Sequence, residues 1–165
     1  VNMDRKYTVN DGKQYLLAGV AYEKYLEMWN AAKKEGLTML VVSAYRTENY
    51  QRNLYNNKVR TSGKVYADNY SARAGHSEHQ TGLAIDIGST LTSFEYTAEF
   101  RWLQNHAHEY GYILRYPKGQ EWITGYAYEP WHYRFVGIDA AKVIYEEGIT
   151  FEEYHAKYKS VNEFR

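Results

Sequence analysis

The chain has 165 residues, a length at which one domain buries most of its surface without disulfides or metals as staples. It carries 20 basic and 20 acidic residues and no cysteine, which argues against nucleic-acid binding and excludes disulfides, thiolate metal sites and cysteine nucleophiles. No apolar run reaches transmembrane length and the first residues lack a signal-peptide pattern, so we expect no membrane contact from the domain itself.

The N-terminal part predicts a hairpin followed by a helix. An Asp11-Gly12 turn separates two short apolar runs within residues 1–18, a pattern typical of paired strands. From Val20 onward, apolar residues recur at helical spacing until Gly36, which is expected to end the helix.

Residues 39–45 form an apolar run that predicts a strand, and Thr47 is suited to cap the helix that follows. Arg46 therefore lies at a strand-to-helix junction, from which its guanidinium can reach into a cleft and bind a carboxylate through two hydrogen bonds. Gln51, one turn into the helix, can present its amide to the same place. Residues 58–76 are polar and irregular, which predicts a long loop leading to the site.

A polar stretch ending at Gly82 leads into residues 83–87, an apolar and β-branched run that predicts a buried strand. Asp86 interrupts this run, and an ionised carboxylate in an apolar strand is costly unless a cation or donors satisfy it. His79 lies seven residues upstream, across a glycine turn that can fold it back. A divalent metal would satisfy both side chains, although spacing alone leaves His76 open as a rival ligand.

The later chain predicts several further elements. These are a helix opened by Ser93 or Thr97 and ended by Gly111, a strand over residues 112–116, a helix over residues 138–147 and a short helix from Thr150 with Glu153 at capping-box spacing.

A second candidate segment surrounds His132. Pro130, between Glu129 and His132, opposes a helix interior, so this is not the helical zinc motif with two histidines on one face. The aromatic and β-branched residues around His132 predict a strand instead. His79, Asp86 and His132 would supply three N/O ligands without a thiolate, which suits one catalytic zinc ion with an open fourth position. Glu129 would be the general base.

The pattern of helices and strands predicts a single α+β domain over residues 1–165, in which a small antiparallel sheet carries the zinc site between flanking helices. A serine hydrolase is excluded because the chain has neither a Gly-x-Ser-x-Gly nor a Ser-x-x-Lys motif.

Two separated motifs carry a family resemblance. They read Ser77-x-His79-x-x-Gly82-x-Ala84-x-Asp86 and Glu129-x-x-His132. The chain resembles the zinc D-alanyl-D-alanine carboxypeptidases, and within them the VanY-type and LdcB-type peptidoglycan carboxypeptidases, over residues 37–155. The resemblance implies the fold of hedgehog-type and D,D-peptidase domains, selects His79 over His76 as a metal ligand, and implies that Arg46, Gln51 and Ser77 hold the substrate.

The resemblance also implies a substrate and a place of action. The substrate would be a peptidoglycan stem peptide that loses its terminal D-alanine, with L,D-carboxypeptidase action on the tetrapeptide favoured over D,D-carboxypeptidase action on the pentapeptide. A non-catalytic, zinc-stabilised cell-wall binding module is the alternative from another class, and an endopeptidase is a weaker variant. We expect a monomer at the extracellular face of a bacterial envelope, with its signal or anchor outside this sequence.

Overall fold

The centre of the fold is a four-stranded antiparallel sheet. In a computed structural model that describes residues 1–159, the strand order is β1-β2-β4-β3. The strands are β1 (Val41–Ser43), β2 (Ala84–Ile87), β3 (Tyr112–Leu114) and β4 (His132–Phe135). The register pairs Asp86 with His132 across β2 and β4, and Ser43 with Asp86 across β1 and β2. The predicted α+β fold with a small antiparallel sheet is confirmed.

Helices flank the sheet. They are α1 (Gly19–Lys34), α2 (Glu48–Ser62), α3 (Lys64–Tyr70), α4 (Ala98–His106), α5 (Glu121–Thr124), α6 (Ile138–Glu147) and α7 (Phe151–Tyr154). Side-chain caps determine where several of them begin: Thr47 accepts a hydrogen bond from the Tyr50 amide, and Thr97, rather than Ser93, caps α4. Thr150 and Glu153 form the predicted capping box. None of the helices described is long and apolar enough to span a bilayer.

The main core lies between α1, α4 and one face of the sheet. Its largest fully buried side chains include Tyr25, Tyr112 and Tyr133. Two of these tyrosines satisfy their hydroxyls on backbone carbonyls, since Tyr25 donates to Met39 at 2.7 Å and Tyr112 donates to Ala21 at 2.7 Å. Because this face is filled by core residues, the opposite face of β2 and β4 is the one that can present polar groups to a cleft.

The prediction of a loop over residues 58–76 is wrong over most of its length. Helix α2 continues to Ser62, Gly63 interrupts it with a φ of +85°, and α3 then runs from Lys64 to Tyr70. The helical period was hidden because these helices bury few residues, with Gln51 the buried residue of α2 and Ala67 that of α3.

The predicted N-terminal hairpin is also wrong in its pairing. Asn2 bridges Leu16 in antiparallel fashion, a 3-10 turn covers Arg5–Tyr7, and Thr8 bridges Val41 in β1. The two runs on either side of Asp11-Gly12 therefore pair with different parts of the chain and not with each other. Strand β1 is shorter than the predicted 39–45 run because its register against β2 shifts between Val41 and Ser43.

Candidate metal centre and active-site cleft

The three predicted ligand residues converge at the middle of the sheet. Asp86 and His132 are cross-strand neighbours on β2 and β4, and His79 comes from the 3-10 turn Glu78–Thr81 that precedes β2. Gly82, with a φ of +70°, ends this turn in a left-handed conformation and directs the chain into the strand. One ligand atom from each of the three side chains lies within 4.8 Å of the others, and all three residues are buried.

The geometry of the three side chains fits a metal ion. Asp86 Oδ1 lies 3.3 Å from His79 Nε2 and 3.2 Å from His132 Nδ1. This oxygen is fully buried and has no hydrogen-bond partner among the described residues. A buried carboxylate oxygen without a donor, facing two ring nitrogens, is an arrangement that a cation satisfies, and two imidazoles with one carboxylate match the ligands of a catalytic zinc.

Contacts behind the cluster orient two of its members. His79 Nδ1 lies 2.7 Å from the Ala44 carbonyl oxygen, so its proton belongs on Nδ1 and its Nε2 faces the cluster. Asp86 Oδ2 accepts a hydrogen bond of 2.8 Å from Arg46 Nη2, which leaves Oδ1 as the oxygen available to a metal.

The surroundings of Asp86 and His79 favour the ionised carboxylate and the neutral imidazole, which are the forms that bind a metal. Burial would raise the pKa of Asp86, but the two histidines and Arg46 outweigh it and hold that pKa well below its usual range. Burial lowers the pKa of His79, which favours its neutral form. Burial lowers the pKa of His132 as well, but the neighbouring carboxylates of Asp86 and Glu78 outweigh burial and raise this pKa to about 9. Metal binding to His132 therefore displaces a proton.

Glu129 lies beside the cluster without belonging to it. Its Oε2 is 3.6 Å from His132 Nδ1, and the carboxylate is largely buried. Burial raises the pKa of Glu129 to about 7, against the opposing effect of the positive His132 ring. A carboxylate with a pKa near 7 can both accept and return a proton at neutral pH.

The structure brings Arg46, Gln51 and Ser77 to the same cleft. Arg46 donates to Ser43 Oγ through both Nε and Nη2, and its Nη1 lies 3.4 Å from Gln51 Oε1. Gln51 is buried and donates to the Ala72 carbonyl oxygen at 2.7 Å, so its amide holds Arg46 in place. Ser77 is buried in the cleft wall beside the metal cluster. His76, the rival ligand, is exposed and lies outside the cluster.

The cleft has a volume of about 440 Å³ and its lining includes residues to which sequence reasoning assigned no role. Lys58 on α2 is half-buried there and donates to the Tyr70 carbonyl oxygen at 2.9 Å. Four tyrosines complete this part of the wall: Tyr66, Tyr70, Tyr116 and Tyr126. No spacing in the sequence could have identified them, because α2, α3 and the segments that follow β3 and α5 meet at the cleft only in the folded chain.

Comparisons with known proteins point to one family. A family model described as VanY, D-alanyl-D-alanine carboxypeptidase, matches residues 14–138. A putative carboxypeptidase, YodJ, from Bacillus subtilis strain 168 is 47% identical over 140 residues, which cover 81% of this chain and 51% of that protein. The chain spans about half the length of this and two further curated relatives.

Two solved structures are also similar. The LdcB LD-carboxypeptidase structure superposes with a TM-score of 0.81 at 44% identity, covering 86% of this chain and 69% of that one. A variant of the vancomycin-resistance D,D-pentapeptidase VanY in complex with Zn(II) superposes with a TM-score of 0.76 at 32% identity, covering 93% of each chain. From the matched residues and this similarity we conclude that the chain belongs to the VanY D-alanyl-D-alanine carboxypeptidase family.

Proposed function

We propose that this chain is the catalytic domain of a zinc-dependent carboxypeptidase that removes the C-terminal D-alanine from peptidoglycan stem peptides. The observation that carries the proposal is Asp86 Oδ1, a buried acceptor without a donor that faces His79 and His132, with the Glu129 carboxylate beside them. A zinc-bound VanY structure at 32% identity supports the choice of metal.

His79, Asp86 and His132 would hold the zinc ion, and His79 would bind it through Nε2 while its Nδ1 is engaged with the Ala44 carbonyl oxygen. When bound, zinc would lower the pKa of a water molecule and polarise the scissile carbonyl.

Glu129 would act as the general base and then as the general acid. It takes a proton from the attacking water, and the same proton passes to the nitrogen of the departing D-alanine. Its raised pKa, which burial causes, keeps the proton transferable near neutral pH. The buried position also excludes bulk water, which strengthens the charge interactions that form during the reaction.

Arg46 would bind the substrate's terminal carboxylate or its scissile carbonyl. Four of the five N–H donors of a guanidinium are used by Ser43, Gln51 and Asp86 within the described structure, which leaves one donor on Nη1. Ser77 and Gln51 would assist, Ser77 from the cleft wall and Gln51 by holding the guanidinium. Recognition of a free carboxylate makes the enzyme an exopeptidase and determines which bond meets the zinc.

We favour L,D-carboxypeptidase action on the tetrapeptide over D,D action on the pentapeptide. Similarity is higher to the LD-carboxypeptidase structure, at 44% identity, than to the D,D-pentapeptidase, at 32%. The domain would act as a monomer at the outer face of a bacterial envelope, where its proposed peptidoglycan substrate lies.

The test is the release of D-alanine from purified tetrapeptide and pentapeptide stems, followed by mass spectrometry with and without a chelator. We expect chelator-sensitive release from the tetrapeptide. Release from the pentapeptide alone would reassign the enzyme to D,D-carboxypeptidase action. If the zinc-loaded protein releases D-alanine from neither stem, the result would contradict catalysis and favour the non-catalytic binding module instead.

A further inference from the structure

Glu78, which immediately precedes the ligand His79, faces the other histidine of the cluster. Its Oε2 lies 3.5 Å from His132 Nε2, the ring nitrogen that points away from Asp86. Both atoms are buried, and neither has a hydrogen-bond partner in the part of the chain that the structure describes. The two groups complement each other, since a carboxylate accepts and an imidazole nitrogen can donate.

The other oxygen of Glu78 is firmly held. Oε1 accepts a hydrogen bond of 2.8 Å from Arg115 Nε, and Arg134 Nη1 lies 3.5 Å from the same atom. Because Oε1 is engaged by arginines, the direction of Oε2 is determined, and it points at His132.

Arg115 is in turn fixed by the C-terminal end of the described structure. It donates through Nη1 to Glu152 Oε2 at 3.0 Å and through Nη2 to Glu152 Oε1 at 2.5 Å. Its guanidinium also lies 4.9 Å from the ring centre of Tyr116 and 5.3 Å from that of Phe151. Glu152 belongs to α7, which lies beyond residue 138, where the family match ends.

We infer that Glu78 is a positioning residue that orients His132 toward the metal, and that α7 sets this orientation through Glu152 and Arg115. The Glu78 carboxylate keeps the His132 proton on Nε2, which leaves the lone pair of Nδ1 for the metal. His79 is oriented by a neutral backbone carbonyl instead, so His132 is the more basic of the two imidazole ligands.

This inference depends on the zinc site of the proposed function, and its test measures zinc affinity in the absence of any peptide. Glu78→Gln keeps the size of the side chain, but its oxygen will stay with Arg115 and its NH₂ group will face His132. The amide would then donate to Nε2 and drive the ring proton onto Nδ1, where it competes with the metal.

Zinc affinity is measured by competition with a chromophoric chelator, and E78Q is expected to bind zinc about 10–100-fold more weakly than the wild type. The d–d spectrum of the cobalt-substituted protein should shift as well. The matched control is Glu95→Gln. Glu95 has the same 16% side-chain exposure as Glu78 and pairs with Lys118 at 3.3 Å, so E95Q removes a carboxylate of equal exposure that has no contact to His132.

The role of α7 is tested by the substitution Glu152→Gln, both alone and combined with Glu78→Gln. If Glu152 acts through Arg115 and Glu78, E152Q weakens zinc binding in the wild type and has no further effect in the E78Q background. An E78Q protein with the zinc affinity and cobalt spectrum of E95Q would overturn the role of Glu78. Additive effects of the two substitutions would overturn the link to α7. A wild-type protein that binds no zinc would overturn the proposed function together with this inference.

Discussion

Asp86 shows how one side chain connects the sheet to the chemistry. Its two oxygens have different surroundings, since Oδ2 is held by Arg46 at 2.8 Å and Oδ1 faces two imidazole nitrogens. The sequence indicated such a need, because a carboxylate inside an apolar strand requires a partner. It could not indicate that Arg46 would be the second partner, since the two residues are 40 positions apart.

At the residue scale, Glu129→Gln is expected to remove most turnover while zinc stays bound. The substitution takes away the proposed proton acceptor, a role that contributes about 10²–10⁴-fold to a rate, and leaves the three candidate metal ligands unchanged. The measurement is the rate of D-alanine release together with zinc content by elemental analysis. A purified E129Q protein with near-native turnover would show that another group is the base.

His79→Ala is expected to lose zinc, because it removes one of the three candidate ligands that the described residues bring together. His76→Ala is the matched control, since His76 is a histidine three positions away that is exposed and outside the cluster. Zinc content after dialysis against metal-free buffer distinguishes the two variants. Equal zinc content in H79A and H76A would contradict the ligand assignment.

At the scale of elements, register is what assembles the site. The antiparallel pairing of β2 with β4 places Asp86 directly opposite His132, at the short cross-strand distance at which side chains interact. A shift of either strand by one residue would turn its ligand into the core. The sequence predicted both strands from their apolar runs, but which strands pair, and in which register, follows from the packing of the whole sheet.

Gly88, at the end of β2, offers a test of the local geometry. It has a φ of +76°, and a Cβ at this position would lie 2.2 Å from a ring carbon of Phe94. Gly88→Ala therefore adds a steric clash to an unfavourable backbone conformation, and we expect it to lower the free energy of unfolding by about 2–5 kcal/mol, the sum of the two costs.

Gly119→Ala is the matched control, because Gly119 has a similar φ of +81° and nothing within 4 Å of its Cβ position. It should lose only the conformational part, about 1–2 kcal/mol. Urea denaturation of both variants measures the difference. Equal losses would show that the ring of Phe94 moves aside at negligible cost.

At the scale of the whole molecule, zinc is expected to stabilise the fold as well as the reaction. The three candidate ligands come from separate parts of the chain and meet only in the native state, so zinc should bind the folded protein in preference to the unfolded one. At a free zinc concentration 100 times Kd the gain is about 2.7 kcal/mol. Thermal unfolding measured with zinc and with chelator checks this gain. Zinc should raise the melting temperature of the wild type and leave that of H79A unchanged. Identical melting temperatures in the wild type would contradict metal-linked folding.

The sequence by itself determined the chemical character of this protein. Two histidines, an aspartate and a glutamate in two motifs predicted a metal cluster with a neighbouring base, because ligand type and protonation behaviour belong to the residue types themselves. The sequence also predicted the helix cap Thr47, and Thr97 as one of two candidates, since a cap depends on residues three positions apart.

Only the tertiary structure decided how the site is held. Arg115 contacts Glu78 and Glu152, each 37 positions away, and Lys58 reaches the cleft from the end of α2, where the sequence predicted a loop. Such contacts depend on how β3, α2 and α7 pack, which no local pattern encodes. The physical reason is that periodicity and propensity act over a few residues, whereas the orientation of a metal ligand depends on neighbours brought together by the whole fold.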